Sequence, residues 1–582
     1  MTAGYYNTEQ HGKILHELLE IVEELDDSEK KIDTYLLLSQ YHQKLGDYPE
    51  ALSQSYKALQ LATENKNLLK QGRAFHEIAL YHWNIGSFED ALDYLNREIT
   101  IQKNTVNEKA LSETLSHLGK VYWWKGQYEK AQKLFQEALE IQESFEDSQI
   151  KFMIFQNQGH MYWSTNNFEK AIKSYKAVQK LASTIGDKRG EAQALCDIGL
   201  AHWSLGDYES AKEEIHQAEK IHADIKDKRG QGLDLNNLGL VYCSLGEFEK
   251  ASQLYQSAFE LFSEIQWNVG QALVQAGFAE IHRHNKELDR AIELCQHSIK
   301  SLQETDSQWQ KGSALHHLGQ IYLDLKAYDQ ALDCLNQALA IKRALNSKEE
   351  EMLILSDQGI VYLNLNKLDQ ALSYSQEAIR LLEERGATPQ APQVWLNHFY
   401  VLEANDLATE ATDALSNAYA SLMVYLRKIN DEGLRASFGG IPLHRTIWKT
   451  HTRYQATDKG AEAARYDLLR KVRWDEGVAC PHCDSRAIQP KRTASVTSRR
   501  YQCERCNEAF NDRTGTVFEH STLPLGKLCQ GLLFVHEHIA STPSALAELI
   551  DVQAQTARKL HPLLQAALEE DDVVQAVLSR LG

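Results

Sequence analysis

The sequence predicts a mainly α fold: a long stack of helical hairpins, then a small metal-pinned β module, then a helical C-terminus. Three observations predict it. Alanine recurs at 51, 91, 131, 171, 211, 251, 291, 331 and 371, a period of 40 residues. Only 9 prolines occur in 582 residues, which favours helices, because proline removes a backbone donor and clashes with the preceding turn. Two C-x2-C pairs stand close together near the end, Cys480/Cys483 and Cys503/Cys506. Composition agrees: 43% hydrophobic and 25% charged residues are ordinary for a globular chain. No window reaches the roughly 18 apolar residues of a membrane helix, and the start MTAGYYNTEQHGKIL lacks a secretory pattern, so a cytoplasmic protein with no membrane partner is expected. The 9 cysteines are few and odd in number, which argues against a disulfide framework.

The repeat comes first in the chain. Three residues before each alanine stands Tyr48, Phe88, Tyr128, Phe168, Tyr208, Phe248, Leu288, Tyr328 or Leu368, and two residues earlier glycine is common (Gly46, Gly86, Gly126, Gly206, Gly246). A second small-residue register, Ala79, Gly119, Gly159, Gly199, Gly239, Ala279, Gly319 and Gly359, lies upstream. Each unit therefore holds two apolar-periodic stretches separated by a short turn, and one hairpin cannot bury its own apolar face, so neighbours must stack. The pattern resembles the tetratricopeptide repeat in its 40-residue form, over 31–385 as nine units, with 1–30 as an extra N-terminal helix. That resemblance implies a right-handed superhelix whose concave face binds a peptide or protein, and makes the Ala, Gly and Tyr positions core.

Two ladders are the candidate partner contacts. The first, two residues before the signature glycine, includes Glu77, His117, Asn157, Asp197, Asn237, His317 and Asp357. Asn there could bind a peptide amide at both its donor and its acceptor. The second places Trp83, Trp123, Trp163 and Trp203 on successive units. These rings either form an aromatic strip for a partner, as interface anchors do, or wedge between adjacent hairpins. The partner-binding candidates are thus Trp83, His117, Trp123, Asn157, Trp163, Asp197, Trp203 and Asn237. No acid pair, Ser-His or Cys-His arrangement appears, so no catalytic residue is assigned. Cys196, Cys243, Cys295 and Cys334 lack ligand spacing and read as buried thiols.

Residues 386–464 read as a helical cap and linker. Asp431, Leu434, Arg435, Ser437, Phe438, Pro442, His444 and Arg445 resemble the terminal cap of many bacterial tetratricopeptide regulators. A polar-faced end for a solenoid is a sufficient reading of it.

The sharpest chemistry follows, over 465–520. Each C-x2-C turns tightly about one metal, and four thiolates close a tetrahedral Zn2+ site with no open position, so one structural zinc is expected, with ligands Cys480, Cys483, Cys503 and Cys506. His482, inside the first knuckle, is not assigned as a ligand. The zinc supplies the folding energy that so short a segment lacks. In a chain of net charge -19, the basic residues around it, Lys491, Arg492, Arg499, Arg500 and Arg513 among them, form a local positive island. They suit phosphate contact, or are a solvated face.

The order Arg473-Trp474, Gly477-Val478, Tyr501-Gln502-Cys503, Phe510, Arg513-Thr514-Gly515-Thr516-Val517-Phe518, then Leu523-Pro524-Leu525 resembles the zinc-ribbon N-terminal region of insertion-sequence transposases. Beyond it, 521–582 reads as a helix-turn-helix-like region, as in those transposases. Its second helix would offer Gln553, Gln555, Thr556, Arg558 and Lys559 to a major groove. The alternative is a helical hairpin that packs on the ribbon. The transposases continue into a catalytic domain with metal-binding carboxylates, whereas here little follows the acidic run Glu569–Asp572, so strand cleavage by this chain alone is not expected. The resemblances together imply a bacterial, non-catalytic regulator that holds a protein or peptide on its repeats and contacts DNA, or a nucleoprotein complex, through its C-terminus. The alternatives are a pure protein–protein adaptor and a repeat protein that captured a transposase fragment.

Overall fold

The computed structural model describes residues 17, 20, 21, 27–45, 47–145, 147–302, 307–386, 388–457, 459–474, 477–491, 499–514, 516, 518, 519, 521–540, 542–570, 574 and 578. The helix expected over 1–30 lies almost entirely outside them. Among the described residues 26 helices and three strands are present. They fall into two compact units: Met1–His202 with Glu213–Asp234, and Trp203–Lys212 with Leu235–Gly582.

Helices α1 (Ser28–Leu45) to α20 (Ala408–Leu426) alternate as first and second members of ten hairpins. The hairpins are α1 with α2 (Tyr48–Glu64), α3 (Leu68–Asn84) with α4 (Phe88–Asn104), α5 (Glu108–Trp124) with α6 (Tyr128–Gln142), and α7 (Ser148–Ser164) with α8 (Phe168–Ile185). Next come α9 (Lys188–Ser204) with α10 (Tyr208–Asp224), α11 (Lys228–Ser244) with α12 (Phe248–Glu264), and α13 (Asn268–His284) with α14 (Leu288–Ser301). The last are α15 (Gln308–Asp324) with α16 (Tyr328–Ala344), α17 (Lys348–Asn364) with α18 (Leu368–Arg385), and α19 (Ala391–Ala404) with α20.

The periodic alanines are the buried crossing points, each at 0% exposure from Ala51 to Ala411. Glycine in the upstream register lets the two helices of a hairpin touch. In the first unit a Cβ at Gly159 would lie 2.5 Å from Tyr175 Cε1, and in the second a Cβ at Gly239 would lie 2.4 Å from Tyr255 Cε1.

In the second unit the array runs one hairpin beyond the nine expected. Ala411 continues the period, and Asn397 Nδ2 donates to Ser356 Oγ at 3.0 Å, a link across 41 residues like those between earlier hairpins. The segment read as cap therefore begins with a further hairpin.

Beyond α20 the chain folds back. Lys428 Nζ donates to Leu205 O at 2.5 Å. Glu209 accepts from Asn430 N at 3.0 Å, Asn430 Nδ2 at 2.9 Å and Asp431 N at 3.1 Å. Asp431 caps α21 (Glu432–Gly440), Ser437 Oγ bonds Glu247, and the Phe438 ring sits 6.2 Å from that of Tyr208. The cap is thus a clasp on hairpins 5 and 6, where a merely polar end was expected. Next, α22 (Pro442–Thr457) buries Trp448 against Phe534 of α24 (Leu525–His536), 5.6 Å between rings. Helix α23 (Lys459–Arg473) follows it, and Glu462 Oε1 and Oε2 receive Leu525 N and Gly526 N at 2.6 and 2.8 Å, holding the start of α24. Strands β1 (Ile488–Lys491), β2 (Arg500–Cys503) and β3 (Ala509–Asn511) form an antiparallel sheet in sequence order. The chain then ends with α25 (Pro543–Leu549) and α26 (Ala554–Glu570).

Replacing Gly239 by valine should overpack the sixth hairpin and cost about 1–3 kcal/mol. In urea titrations followed at 222 nm the midpoint falls, and an unchanged midpoint would show that the close approach carries no weight.

Candidate metal centre and interaction surfaces

The two C-x2-C pairs fold as near copies of one turn. Cys480 N donates to Ser485 O and Cys503 N to Glu508 O, both at 2.9 Å. The residue after each pair, Asp484 (φ 55) and Asn507 (φ 59), is left-handed, a conformation Asp and Asn tolerate better than most. Backbone N–H groups point at sulfur: His482 N to Cys480 Sγ at 3.4 Å, Arg505 N and Cys506 N to Cys503 Sγ at 3.3 and 3.5 Å. The donation from Cys506 N, with that from Arg505 N, pulls the Cys503 thiol down to about 6. Cys480 and Cys506 sulfurs stand 3.6 Å apart, as do those of Cys483 and Cys503, and all four lie within 4.8 Å of one another.

Four sulfurs about 2.3 Å from one zinc would be separated by about 3.8 Å, so the donor set fits a closed tetrahedral Zn2+ site. Bound there, the ion neutralises thiolate charge and ties the two knuckles together. His482 is exposed and outside this cluster.

Behind the knuckles, Tyr501 and Phe510 stack at 5.3 Å and Trp474 meets Tyr501 edge-on at 5.7 Å. The fully buried Asp512 gathers Arg499 N at 2.6 Å, Arg470 Nη1 at 2.8 Å and Tyr501 Oη at 3.0 Å. No motif in the sequence marks Asp512 for this role. Its sole signal was its place two residues after the buried Phe510.

The structure separates the basic candidates. Lys491, Arg499 and Arg500 are exposed, and Lys491 faces Arg500 directly across β1 and β2. Arg513 turns inward: Nε donates to Tyr466 Oη at 2.7 Å and Nη1 to Ser521 O at 2.8 Å. Arg492 lies outside the described residues. At the start of α26, Gln553, Gln555, Arg558 and Lys559 are exposed and Thr556 is half-buried. Helices α25 and α26 meet at a turn, and His561 Nε2 bonds Ala540 O at 2.8 Å.

The ladder residues interlock. In the first unit His76 Nδ1 bonds Glu98 Oε2 at 2.9 Å while His76 Nε2 meets His117 Nδ1 at 3.1 Å. Burial opposes charge on His76, but Glu98 and further carboxylates hold its pKa up at about 9, so it donates from both nitrogens. Burial keeps His117 neutral, as the acceptor. Asn157 Nδ2 donates to Ser116 Oγ at 3.1 Å, and Asp197 accepts from Gln193 at 3.1 Å beside His160 at 3.7 Å. In the second unit Asn237 Oδ1 accepts from Asn236 at 3.4 Å. Trp123 and Trp203 spend their indole N–H on Ser164 and Ser244, at 2.7 and 2.9 Å, whereas Trp163 is 38% exposed. Trp83 packs against Phe88 and Trp124, both at 5.5 Å, under the Lys120 ammonium at 4.6 Å. Among the described residues no helix is long and apolar enough to cross a membrane.

Comparison with known proteins matches residues 31–104, 110–184, 190–264, 269–344 and 313–384 to a tetratricopeptide repeat family model, more than half of the chain. Residues 460–509 match a transposase zinc-ribbon domain. An uncharacterized protein in transposable element ISH50 of Halobacterium salinarum is 37% identical over 109 residues, 18% of this chain, and the chain spans only 36% of that protein's length. Among solved structures, a STAND protein with a tetratricopeptide repeat sensor from Pyrococcus horikoshii is 19% identical, with a TM-score of 0.41 over 56% of this chain and 52% of that one. A Rap protein complexed with Competence and Sporulation Factor is 14% identical, with a TM-score of 0.39 over 60% of this chain and 99% of that one.

Two outcomes follow. Chelation should release one zinc per chain, and 480–506 should become protease-sensitive while helical ellipticity persists; protection that survives complete metal removal would contradict the closed site. Folded His76 holds its proton to about 9 against 6.5 unfolded, so its stabilising contribution is full below pH 6.5 and disappears as pH rises toward 9. The melting-temperature gap between wild type and His76→Gln should therefore narrow from pH 6.5 to 9.5, and parallel curves would refute the charged pair.

Proposed function

The chain belongs to the tetratricopeptide repeat family, and from that premise we propose that it is a scaffold whose repeats hold a protein or peptide while its zinc ribbon and final helices contact duplex DNA. The repeats and the ribbon are non-catalytic modules. The observation that carries the DNA half is the outer face of the ribbon sheet. Cross-strand partners share a face, and the side carrying Tyr501 and Phe510 is buried. The opposite side therefore presents Gln489 beside Gln502 and Lys491 beside Arg500, with exposed Arg499 adjoining.

Like charges directly opposite in a sheet destabilise it. A polyanion lying across the pair converts that repulsion into two phosphate contacts, while the Gln489 and Gln502 amides are held within the ribbon, by Glu504 Oε1 at 2.7 Å and Asn507 Oδ1 at 3.1 Å. The exposed start of α26 adds Gln553, Gln555, Arg558 and Lys559, side-chain types that read base edges and phosphates. The helix pair α25–α26 serves this reading as a helix-turn-helix. Arg513 contributes to the fold of the ribbon and not to this surface.

The test is anisotropy of a labelled duplex titrated with full-length protein, between about 50 and 200 mM salt. Binding should weaken steeply with salt, and K491E/R499E/R500E should weaken it at least about tenfold and flatten the log–log slope by about 2–3. Equal binding by the variant, or no duplex binding by the wild type, leaves a protein-only adaptor as the surviving reading.

A further inference from the structure

The clasp in the second unit shows what the turn edge of a hairpin can hold. Hairpin 5 offers Leu205 O, the left-handed Gly206, the Tyr208 ring and Glu209; hairpin 6 adds Leu245, Gly246 and Glu247. Against them lies the chain's own segment Tyr425–Ile441. It brings a lysine to a turn carbonyl, the backbone N–H groups of Asn430 and Asp431 to a glutamate, Ser437 to a second glutamate and Phe438 to an aromatic ring. The fit is close: a Cβ at Gly206 would lie 2.1 Å from Tyr425, and one at Gly246 would lie 2.5 Å from Ser437 O. Tyr208 is accordingly 3% exposed and Leu245 0%.

In the first unit the same edge recurs 120 residues earlier, on hairpins 2 and 3: Ile85, the left-handed Gly86, Phe88 and Glu89, then Lys125, Gly126 and Gln127. A Cβ at Gly86 or Gly126 would meet nothing within 4 Å. Ile85 is 49% exposed, Trp124 40% and Tyr128 38%, and Phe88 is half-buried where its counterpart Tyr208 on the occupied edge is buried. Trp83, Phe88 and Trp124 form a packed aromatic cluster behind them, the residue class that anchors protein interfaces. Glu89 is held toward Lys125, an exposed pair that costs little to open.

We propose that this edge of hairpins 2 and 3 is the docking site for a helix start of a protein partner, built like the chain's own clasp. The occupant presents a lysine, then an Asn-Asp cap with free backbone N–H groups, then an aromatic residue about two turns on. Its lysine meets Ile85 O, its N–H groups meet Glu89, a hydroxyl meets Gln127 Oε1 and its ring packs on Phe88. The inference deepens the protein-binding half of the proposed function and is independent of duplex binding by the ribbon.

The probe is a fluorescein-labelled peptide of this chain's own residues 425–441, titrated into full-length protein. Saturable binding is expected, reduced at least fivefold by Ile85→Asp and by Glu89→Lys, and unchanged by Lys180→Glu at the far end of hairpin 4. Both substituted side chains are solvent-exposed, so the variants keep the wild-type melting temperature. Absence of binding up to about 1 mM overturns the proposal. So does binding that ignores Ile85→Asp and Glu89→Lys but responds to Glu209→Lys, since the peptide would then merely exchange with the clasp. Either failure leaves the duplex titration, and so the DNA half of the reading, untouched.

Discussion

Everything in the array depends on how closely two helices of a hairpin approach. At Gly119, Gly159 and Gly239 an added Cβ would lie 2.4–2.8 Å from an aromatic carbon of the partner helix, so the ring fills the space a side chain would have taken. That contact fixes the depth of the hairpin, and the depth fixes where the next one sits. The apolar face left over is too large for one hairpin to bury, so each becomes the floor of its successor. Polar side chains then span the seam at a spacing of 41 residues, one more than the repeat: Ser116 with Asn157, Trp123 with Ser164, Trp203 with Ser244, Ser356 with Asn397. The extra residue advances the contact by a fraction of a turn along the first helix of the next hairpin.

The C-terminal module solves a different problem with little apolar material. Its sheet has three short strands and one aromatic cluster. Two anchors compensate. Four sulfurs gather on one side. On the other, Asp512 is buried among Arg470, the Arg499 amide and the Tyr501 hydroxyl, satisfied by a guanidinium and two neutral donors. A buried carboxylate so surrounded is costly to strip of any one partner, which ties the ribbon's orientation to α23 and, through Glu462, to the start of α24.

Periodicity made the hairpins legible, because a spacing of 40 is a local property repeated many times, and the cysteine spacing made the metal centre legible because ligand geometry is short-range. The tenth hairpin is faint in the sequence because Phe399 stands at the glycine register and Ala408 at the aromatic one, although Ala411 keeps the period. The clasp was not legible at all: Glu209 and Asn430 are separated by 221 residues, and nothing in either local sequence names the other. Arg513 looked like its basic neighbours because composition does not distinguish an arginine that points outward from one that closes a turn onto Tyr466 and Ser521.

The interlocking of the ladders bears on where affinity for a partner can arise. A side chain already bonded within the array gains little by exchanging that bond for one to a ligand, since the net value of a hydrogen bond is the difference between two similar states. His117, Asn157 and the indole N–H groups of Trp123 and Trp203 are in that position. Exposed apolar area has no such competitor: covering it removes water and breaks nothing. Among the turn side chains, Ile85, Trp124 and Tyr128 stand open on hairpins 2 and 3, while on the occupied edge of hairpins 5 and 6 Tyr208 and Leu245 are buried.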